Sequence, residues 1–387
     1  MGESKKNIRF LVVSYAWHKY DDQRNYYSYA PYVREMNLWL KHVDAVTIVA
    51  PLGHTKPDAL DMAYRHPNLH FVKVPALNLQ SFPAAMSTFV RLPLVVWVLF
   101  REMHRANHIH LRCPGNMGLV ASFVQLFFPG KIKTVKYANN WDWNSTQPWT
   151  YRLQQRILRN EWLTHRTKVL VYGDWGEKSR HIVPFYTASY TNADKLPVSV
   201  RDISDKQPVR LVFVGTLTAN KRPLVAVKTL KRLLDSGIDA QLTLIGGGNQ
   251  EAMLRQAVEE MDVAHRVVFT GKISPGEVIG YFQKSHFLVF MSMSEGWPKV
   301  VAEAMWWGCV PVSTRVSCVH SMLGNGMRGV LVEPDAQLVA KAILDLITND
   351  NAYRQMAMSG MEWAREYTLE RFEEDVVKLL HDESSFT

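Results

Sequence analysis

VRLVFVGTLTANKR, residues 209–222, opens with a strand and turns at a glycine, and the chain has begun this way once before. The run VRLVFVG (209–215) is short, largely apolar and β-branched, the pattern of a buried strand. The first opening is IRFLVVSY (8–15), followed by a helical stretch near 28–42 and the strands AVTIVAP (45–51), LHFVKVP (69–75), HIHLRCP (108–114), IKTVKYA (132–138) and KVLVYG (168–173). Helical patterns at 83–105, 116–127 and 149–163 lie between them. From 209 the series restarts. A helix fits 223–236, then QLTLIGGG (241–248), a helix at 249–261, RVVFTG (266–271), a helix at 275–283 and FLVFMS (287–292). VPVST (310–314), GVLVEP (329–334) and helices at 335–348 and 351–364 complete it. Strands alternating with helices predict α/β architecture with parallel, doubly wound sheets. Two such series predict two Rossmann-like domains, with a ligand cleft between the carboxyl ends of their sheets. The polar, proline-bearing KLPVSVRDISDKQP (195–208) is the expected linker, giving domains over 1–200 and 201–366. The closing segment 367–387 is expected to place a helix back on the first domain.

At 387 residues the chain exceeds one ordinary core, and 47% apolar with 21% charged residues reads as globular and soluble. The net charge of +9 is uneven: residues 1–200 hold 25 Lys+Arg against 13 Asp+Glu, a net of +12, and the rest is −3. A basic first half calls for an anionic partner, and nucleic acid, a lipid headgroup or a phosphorylated substrate would each suit the charge. No nucleic-acid recognition motif is present, so nucleic acid is not an expected partner. Three cysteines without a CxxC pattern suggest a reducing, cytoplasmic setting. FLVV after MGESKKN is too short for a signal peptide, the myristoylation match fails at Lys6, and the sequon at Asn144 reads as chance. No apolar run approaches the roughly 20 residues of a membrane span; LPLVVWVLF (92–100) is closed by Arg91 and Arg101. The longer segment 82–105 mixes apolar residues with Arg91, Arg101 and Arg105. It reads equally as a buried helix or as one lying on an anionic membrane surface.

Four features of the second half point at one ligand. Lys221 and Arg222 follow the glycine turn Gly215-Thr216, where a cation at a sheet mouth suits a phosphate. The glycines of LIGGG, Gly246 among them, permit close backbone approach. FTGKIS ends a third strand at the same rim, with Lys272 and Ile273. The fourth is SEGWPKVVAEAM (294–305). Pro298 suits the first helical position, which makes Trp297 the expected N-cap and gives Lys299 and Val300 amides for an anion. Gly308 is the expected helix end. Glu295 then lies before the helix and Glu303 in its second turn, about 7–8 Å further along at about 1.5 Å per residue. A diphosphate at the helix start leaves one carboxylate for each of its ends, the sugar hydroxyls and the ribose hydroxyls of a nucleotide sugar.

As an ordered set, VGTL…K, LIGGG, VFTGKIS, FLVFMSMSEGWPKVVAEAMWWGCVPV and GVLVEPD resemble the retaining glycosyltransferases of family 4, which have the GT-B fold. The resemblance runs through nearly all of 209–366. It implies that Glu295 contacts the donor sugar, Glu303 binds the ribose and Lys221 neutralises the diphosphate. Gly215, Thr216, Arg222, Gly246, Lys272, Ile273, Gly296, Trp297, Pro298, Lys299 and Val300 would complete the donor site. It also implies transfer with retention, no metal and no cofactor beyond the nucleotide-sugar substrate. The acceptor would be a glycan or lipid-linked saccharide in bacterial polysaccharide assembly, at the inner face of the cell membrane. Thr216 stands where the family usually has arginine, and Pro298 where many members have glycine. Other tasks of the same fold are nucleotide-sugar epimerisation and glycogen-type synthesis; a catalytically silent binding homologue is a third reading.

The first half is less legible. Asn139, within KYANNWDW (136–143), aligns with a histidine the family often carries near the reacting centre. Asn139, Asn140 and Asp142 read equally as turn formers. The loop 16–35, with His18 and Arg24, is rich in groups that suit an acceptor sugar, though its tyrosines equally suit packing. His108 and His110 point the same way on a strand, but a structural role fits them better than a metal.

Overall fold

A computed structural model describes residues 7–203 and 207–381. The leader and lipidation readings at 1–6, part of the linker at 204–206, and the end of the closing segment beyond 381 lie outside the described residues. The chain forms two compact units, Met1–Phe185 with Phe372–Thr387, and Tyr186–Arg371.

The first unit is built on strands β1 (Arg9–Val13), β2 (Lys19–Tyr20), β3 (Tyr26–Tyr29), β4 (Ala45–Ala50), β5 (Asp61–Ala63), β6 (Leu69–Lys73), β7 (His108–Cys113), β8 (Ile132–Tyr137), β9 (Thr167–Tyr172) and β10 (Ile182–Phe185). Seven of them form a parallel sheet in the order β10-β9-β8-β7-β1-β4-β6. The winding reverses between β1 and β7, the switch point at which open α/β sheets bind ligands. Strands β2, β3 and β5 form a small antiparallel sheet that the period-2 pattern did not reveal. Helices α1 (Ala30–Leu40), α2 (Phe82–Arg105), α3 (Asn116–Val124) and α4 (Trp149–Arg159) belong to this unit.

The second unit has β11 (Val209–Val214), β12 (Ala240–Ile245), β13 (Val267–Gly271), β14 (Phe287–Phe290), β15 (Val310–Ser313) and β16 (Val330–Leu331). All neighbours are parallel, in the order β13-β12-β11-β14-β15-β16, so the switch point lies between β11 and β14. Its helices are α5 (Pro223–Asp235), α6 (Glu251–Glu260), α7 (Pro275–Lys284), α8 (Lys299–Trp306), α9 (Val319–Met322), α10 (Ala336–Ile347) and α11 (Asp350–Ala364). In α5, Ala226, Val227, Leu230 and Leu233 recur at three- and four-residue spacing and are all buried, facing the sheet core of Leu211, Phe213 and Leu242. Side-chain caps set the starts of α7, α10 and α11. In α7 Ser274 and Glu277 form a capping box ahead of Pro275, and Asp335 caps α10.

Residues 186–203 run with the second unit, upstream of the boundary read from the sequence. Ser189, Tyr190, Leu196 and Arg201 are all tied to its helical residues: Tyr190 packs on Trp306 and Trp307, and Arg365 donates to the Leu196 carbonyl. The closing helix is α12 (Leu369–His381). Its Phe372 packs edge-on against Phe185, and Glu373 accepts from Lys41 and His42 at 2.8 Å each.

Two features qualify the charge and membrane readings. Part of the positive excess is internal. Lys133 donates to the carbonyls of Phe128 and Lys131, and burial pushes its ammonium down to about 8, with Arg166 adding to the effect. Lys136 lies over the rings of Tyr172 and Phe185. Conversely, α2 is one uninterrupted 24-residue helix, long and apolar enough to cross a membrane by length and composition, although no single apolar run in the sequence was. Ser81 caps it and Pro93 sits inside it on the exposed side. Only 22% of its apolar window is buried.

His18 and His286 are buried neutral. His18 Nδ1–H donates to the Ala16 carbonyl, so Nε2 accepts from the Tyr64 hydroxyl, both at 2.8 Å. His286 Nδ1 accepts from the Arg210 amide and Nε2–H donates to the Asp202 carbonyl, both at 2.9 Å. Burial lowers each to about 4.

On acidification the unfolded chain takes up protons at these two histidines first, near 6.5. The stability they contribute by staying neutral is therefore complete above that pH and is lost as the pH falls through about 4. Each site is worth about 3 kcal/mol over that window. Melting temperature should fall between pH 6.5 and 4, and His286→Gln, which can make both hydrogen bonds, should flatten part of the fall. An unchanged slope would show that His286 does not carry it.

Candidate active site

The second unit gathers four loops at the carboxyl edge of its sheet. After β11, Gly215 adopts φ +151° and its amide donates to the Ile245 carbonyl. After β12, Gly246 adopts φ +132°, and a Cβ there would lie 1.9 Å from the Gly215 oxygen. A Cβ on Gly248 would lie 2.3 Å from the Leu217 oxygen. Gly246 and Gly248 of LIGGG are thus required by the approach of two backbones, and Gly247 is not. After β13, the Gly271 carbonyl accepts from the Gly246 amide, and the Lys272 side chain passes over Gly247. Thr216 is exposed at the rim and Ile273 is half-buried. Arg222 takes a left-handed conformation as the N-cap of α5.

Across the switch point, Lys221 pairs with Glu295, whose Oε1 also accepts from the Ser292 hydroxyl. The loops are laced further. The Met293 amide donates to the Asn220 carbonyl at 2.8 Å, and Asn220 Nδ2 donates to the Ser294 carbonyl at 3.2 Å. Lys221 and Glu295 are 21% and 13% exposed, so the pair is only partly screened by water. Helix α8 starts at Lys299, one residue later than the sequence suggests, with Pro298 as its N-cap at φ −76°, ψ 87°. An extended ψ excludes Pro298 from the helix itself. The helix ends as expected: Gly308, at φ +68°, donates to the Met305 carbonyl and Cys309 to that of Ala304. The Gly296 carbonyl accepts from Ser317, and Trp297 sits among Tyr186, Trp363 and Tyr367. Trp297 therefore anchors the loop. Glu303 does not join Glu295: its Oε1 accepts from the Ser189 hydroxyl at 2.6 Å. The two acids of the motif have separate partners, and neither Ser189 nor Ser292 was singled out from the sequence.

The family profile described as "Glycosyl transferases group 1" matches residues 200–363, the span that holds these loops. Residues 200–363 are a group 1 glycosyltransferase domain. A D-inositol 3-phosphate glycosyltransferase of Corynebacterium diphtheriae is 27% identical over 165 residues, 41% of this chain and 39% of that protein. The amylovoran biosynthesis glycosyltransferase AmsK of Erwinia amylovora is 29% identical over 160 residues, 40% of this chain and 39% of that protein. The matches thus span about two fifths of the length of these curated relatives. Among solved structures, Anabaena Alr3699/HepE in complex with UDP and glucose superposes with a TM-score of 0.66 at 13% identity, covering 97% of this chain and 100% of that one. That likeness is one of fold, and the fold is GT-B.

Outside the group 1 domain, the residues read as acceptor-side are differently employed. His18 is buried and fully hydrogen-bonded, so it serves the core rather than a ligand. Arg24 occupies the turn between β2 and β3, at φ +61°. Asn139 Oδ1 accepts from the Asn140 amide, Asn140 Oδ1 from the Asp142 amide, and Asp142 Oδ1 from the Asn144 amide. Turn chemistry accounts for these three oxygens. His108 and His110 both bond to the Thr134 hydroxyl inside the sheet.

Gly246→Ala should cost about 1–3 kcal/mol of backbone strain and push the β11 and β12 loops apart. The expected result is a lower melting temperature for Gly246→Ala and no fall, or a small rise, for Gly276→Ala, a helical position where a Cβ meets nothing within 4 Å. Equal melting of the two variants would contradict the close approach.

Proposed function

We propose that the protein is a retaining, metal-independent glycosyltransferase that moves a sugar from a nucleotide-sugar donor to a glycan or lipid-linked saccharide in bacterial polysaccharide assembly. The observation that carries this reading is the Lys221–Glu295 pair at the switch point of the group 1 domain. A donor diphosphate at this edge meets Lys221 and the amino end of α8, with Lys272 at the rim. Lys221 then exchanges its carboxylate for the diphosphate, and Glu295 turns to the donor sugar. Glu303 leaves Ser189 for the ribose hydroxyls. As the bond from the anomeric carbon to the diphosphate oxygen breaks, negative charge grows on the leaving group, where Lys221 and the helix amides stabilise it. The acceptor hydroxyl attacks from the same face and gives its proton to the departing phosphate oxygen. Arg222 or Lys299 supplies the cation that Thr216 does not, and Lys299 offsets the amide donor lost at Pro298. The amylovoran role in the name of AmsK and the UDP and glucose bound to HepE favour this donor class and setting.

The same reading places the enzyme at the cytoplasmic face of an anionic membrane. Helix α2 exposes Phe82, Phe89 and Val90 by 72–80%, and Trp97 and Phe100 by about half. Phe100 meets the exposed Phe127 at a ring distance of 6.1 Å, and Arg101 stacks over Trp97 at 4.7 Å. Arg91 and Arg105 are exposed on the same helix. Apolar side chains flanked by arginines suit the boundary between headgroups and acyl chains.

Glu295→Gln should lower transfer by about 100-fold or more while nucleoside diphosphate binding is kept. Glu303→Ala should raise the donor KM about tenfold. Equal activity of both variants and the parent, measured by release of nucleoside diphosphate, would place the chemistry elsewhere. In sedimentation with phosphatidylglycerol vesicles at low salt, the parent should bind and Phe89→Glu/Trp97→Glu should not. A parent protein that stays in the supernatant would overturn the membrane reading.

A further inference from the structure

The sheet of the second unit ends on an open edge. Strand β16 pairs with β15 alone, in the register Val312–Val330 and Ser313–Leu331. Beyond that edge a recess of about 420 Å³ lies among Arg315, Leu331, Glu333, Leu338, Lys341 and Asp345. Its α10 wall is Leu338, Lys341, Ala342 and Asp345, spaced i, i+3, i+4 and i+7, which is one face of the helix. The neighbouring face, Val339, Ala340, Ile343 and Leu346, is buried in the same core as Val310 and Val312. Helix α10 therefore has one face in the core and a second on the recess, where Leu338 is left 45% exposed. An apolar floor of Leu331, Val332, Leu338 and Ala342 beside an unpaired strand edge is a template for another chain.

The rim is charged and unpaired. Arg315, Glu333, Lys341 and Asp345 are all exposed, and none of the four forms an ion pair or a side-chain hydrogen bond among the described residues. Lys341 and Asp345 stand four residues apart on α10, a spacing at which opposite charges can meet. The same spacing is closed in three other helices: Lys231–Asp235 at 2.6 Å, Glu251–Arg255 at 2.8 Å and Asp350–Arg354 at 2.6 Å. Lys231 precedes Asp235 just as Lys341 precedes Asp345, so the order of the charges does not account for the difference. Charges on a sheet edge ordinarily keep other strands away. Two cations and two anions around one apolar floor do so only for a partner with the wrong pattern of charge.

We infer that the β16–α10 edge is an interface with a second copy of this chain, related to the first by a two-fold axis. A surface with equal numbers of both signs is complementary to itself after half a turn. A cation of one copy then meets an anion of the other, and the reverse contact follows by symmetry. A partner of one sign would satisfy half of the rim and set like charge against the other half. With the two β16 strands antiparallel, the α10 faces also run antiparallel, and Lys341 of each copy lies against Asp345 of the other. Leu338 and Ala342 of each copy cover the apolar floor of the other. Strand β16 is two residues long, so strand pairing sets the register and the α10 faces supply most of the contact. A contact this short suits a reversible dimer rather than an obligate one. The inference does not depend on the transferase reading and involves neither Lys221 nor Glu295.

The test is sedimentation equilibrium of the full chain over about 1 to 100 µM, at low and high salt. The parent should dimerise within that range, and more weakly at high salt. Lys341→Glu and Asp345→Lys should each weaken self-association by at least about tenfold, because each sets like charges against one another twice. An equimolar mixture of the two variants should dimerise again, since the reversed charges then face one another. Leu338→Ser should also weaken the dimer, and all three variants should keep the parent's melting temperature at concentrations where the parent is monomeric. A parent that stays monomeric throughout, variants that dimerise as the parent does, or a mixture that remains monomeric would each overturn the inference.

Discussion

The Lys221–Glu295 ion pair holds the working edge of the second unit together. Parallel winding forces β11 and β14 to lie side by side, so two loops 74 residues apart in sequence must share one rim. A lysine after one strand and a glutamate after the other neutralise each other there, in a setting only partly open to water. Ser292 and Asn220 add hydrogen bonds that fix the same two loops. The pair also accounts for a carboxylate beside the proposed anion site. Without a ligand, Glu295 supplies the negative charge that Lys221 requires. A bound diphosphate would supply it instead and release Glu295 for the sugar.

Both units repeat one design. Each has a parallel sheet whose order reverses at its first strand, and each carries its chemistry at the carboxyl ends flanking that reversal. The chemistry differs by residue type. In the second unit the rim holds Lys221, Lys272 and Glu295; in the first it holds Tyr15, Trp17 and carboxamides. An ionic rim suits a diphosphate. The exposed stripe of α2 gives the first unit a separate surface with the composition of a membrane-facing helix.

Much of this was legible in the sequence because buried parallel strands are unbroken apolar runs. The longer strands of both sheets correspond to such runs, and the helices follow from their spacing. What escaped had no such signal. Strand β10 is short and carries Pro184, which hides it beside its longer neighbours. Strands β2, β3 and β5 are two to four residues long, polar and aromatic, and become strands only by pairing with one another. The start of α8 depended on the ψ of Pro298, which its ring does not fix. Charge counting could not tell surface lysines from Lys133 and Lys136, which lie inside the first sheet. Arg91 and Pro93 broke the apolar run of α2 on paper without breaking the helix. At the site, the positions of Lys221 and Glu295 followed from a motif, whereas Ser189 came from a segment with no signature of its own and Ser292, though within FLVFMSMSEG, carried nothing to single it out. Asn139, Asn140 and Asp142 showed the reverse: a suggestive cluster whose oxygens form turns.

The most direct measurement is difference density from crystals of the full chain soaked with UDP, GDP and ADP in turn. We expect one of them to place its diphosphate within hydrogen-bonding distance of Lys221 Nζ, with the Lys221–Glu295 contact opened. Diphosphate density away from the β11/β14 edge, or a bound nucleotide that leaves that ion pair closed, would contradict the role given to it.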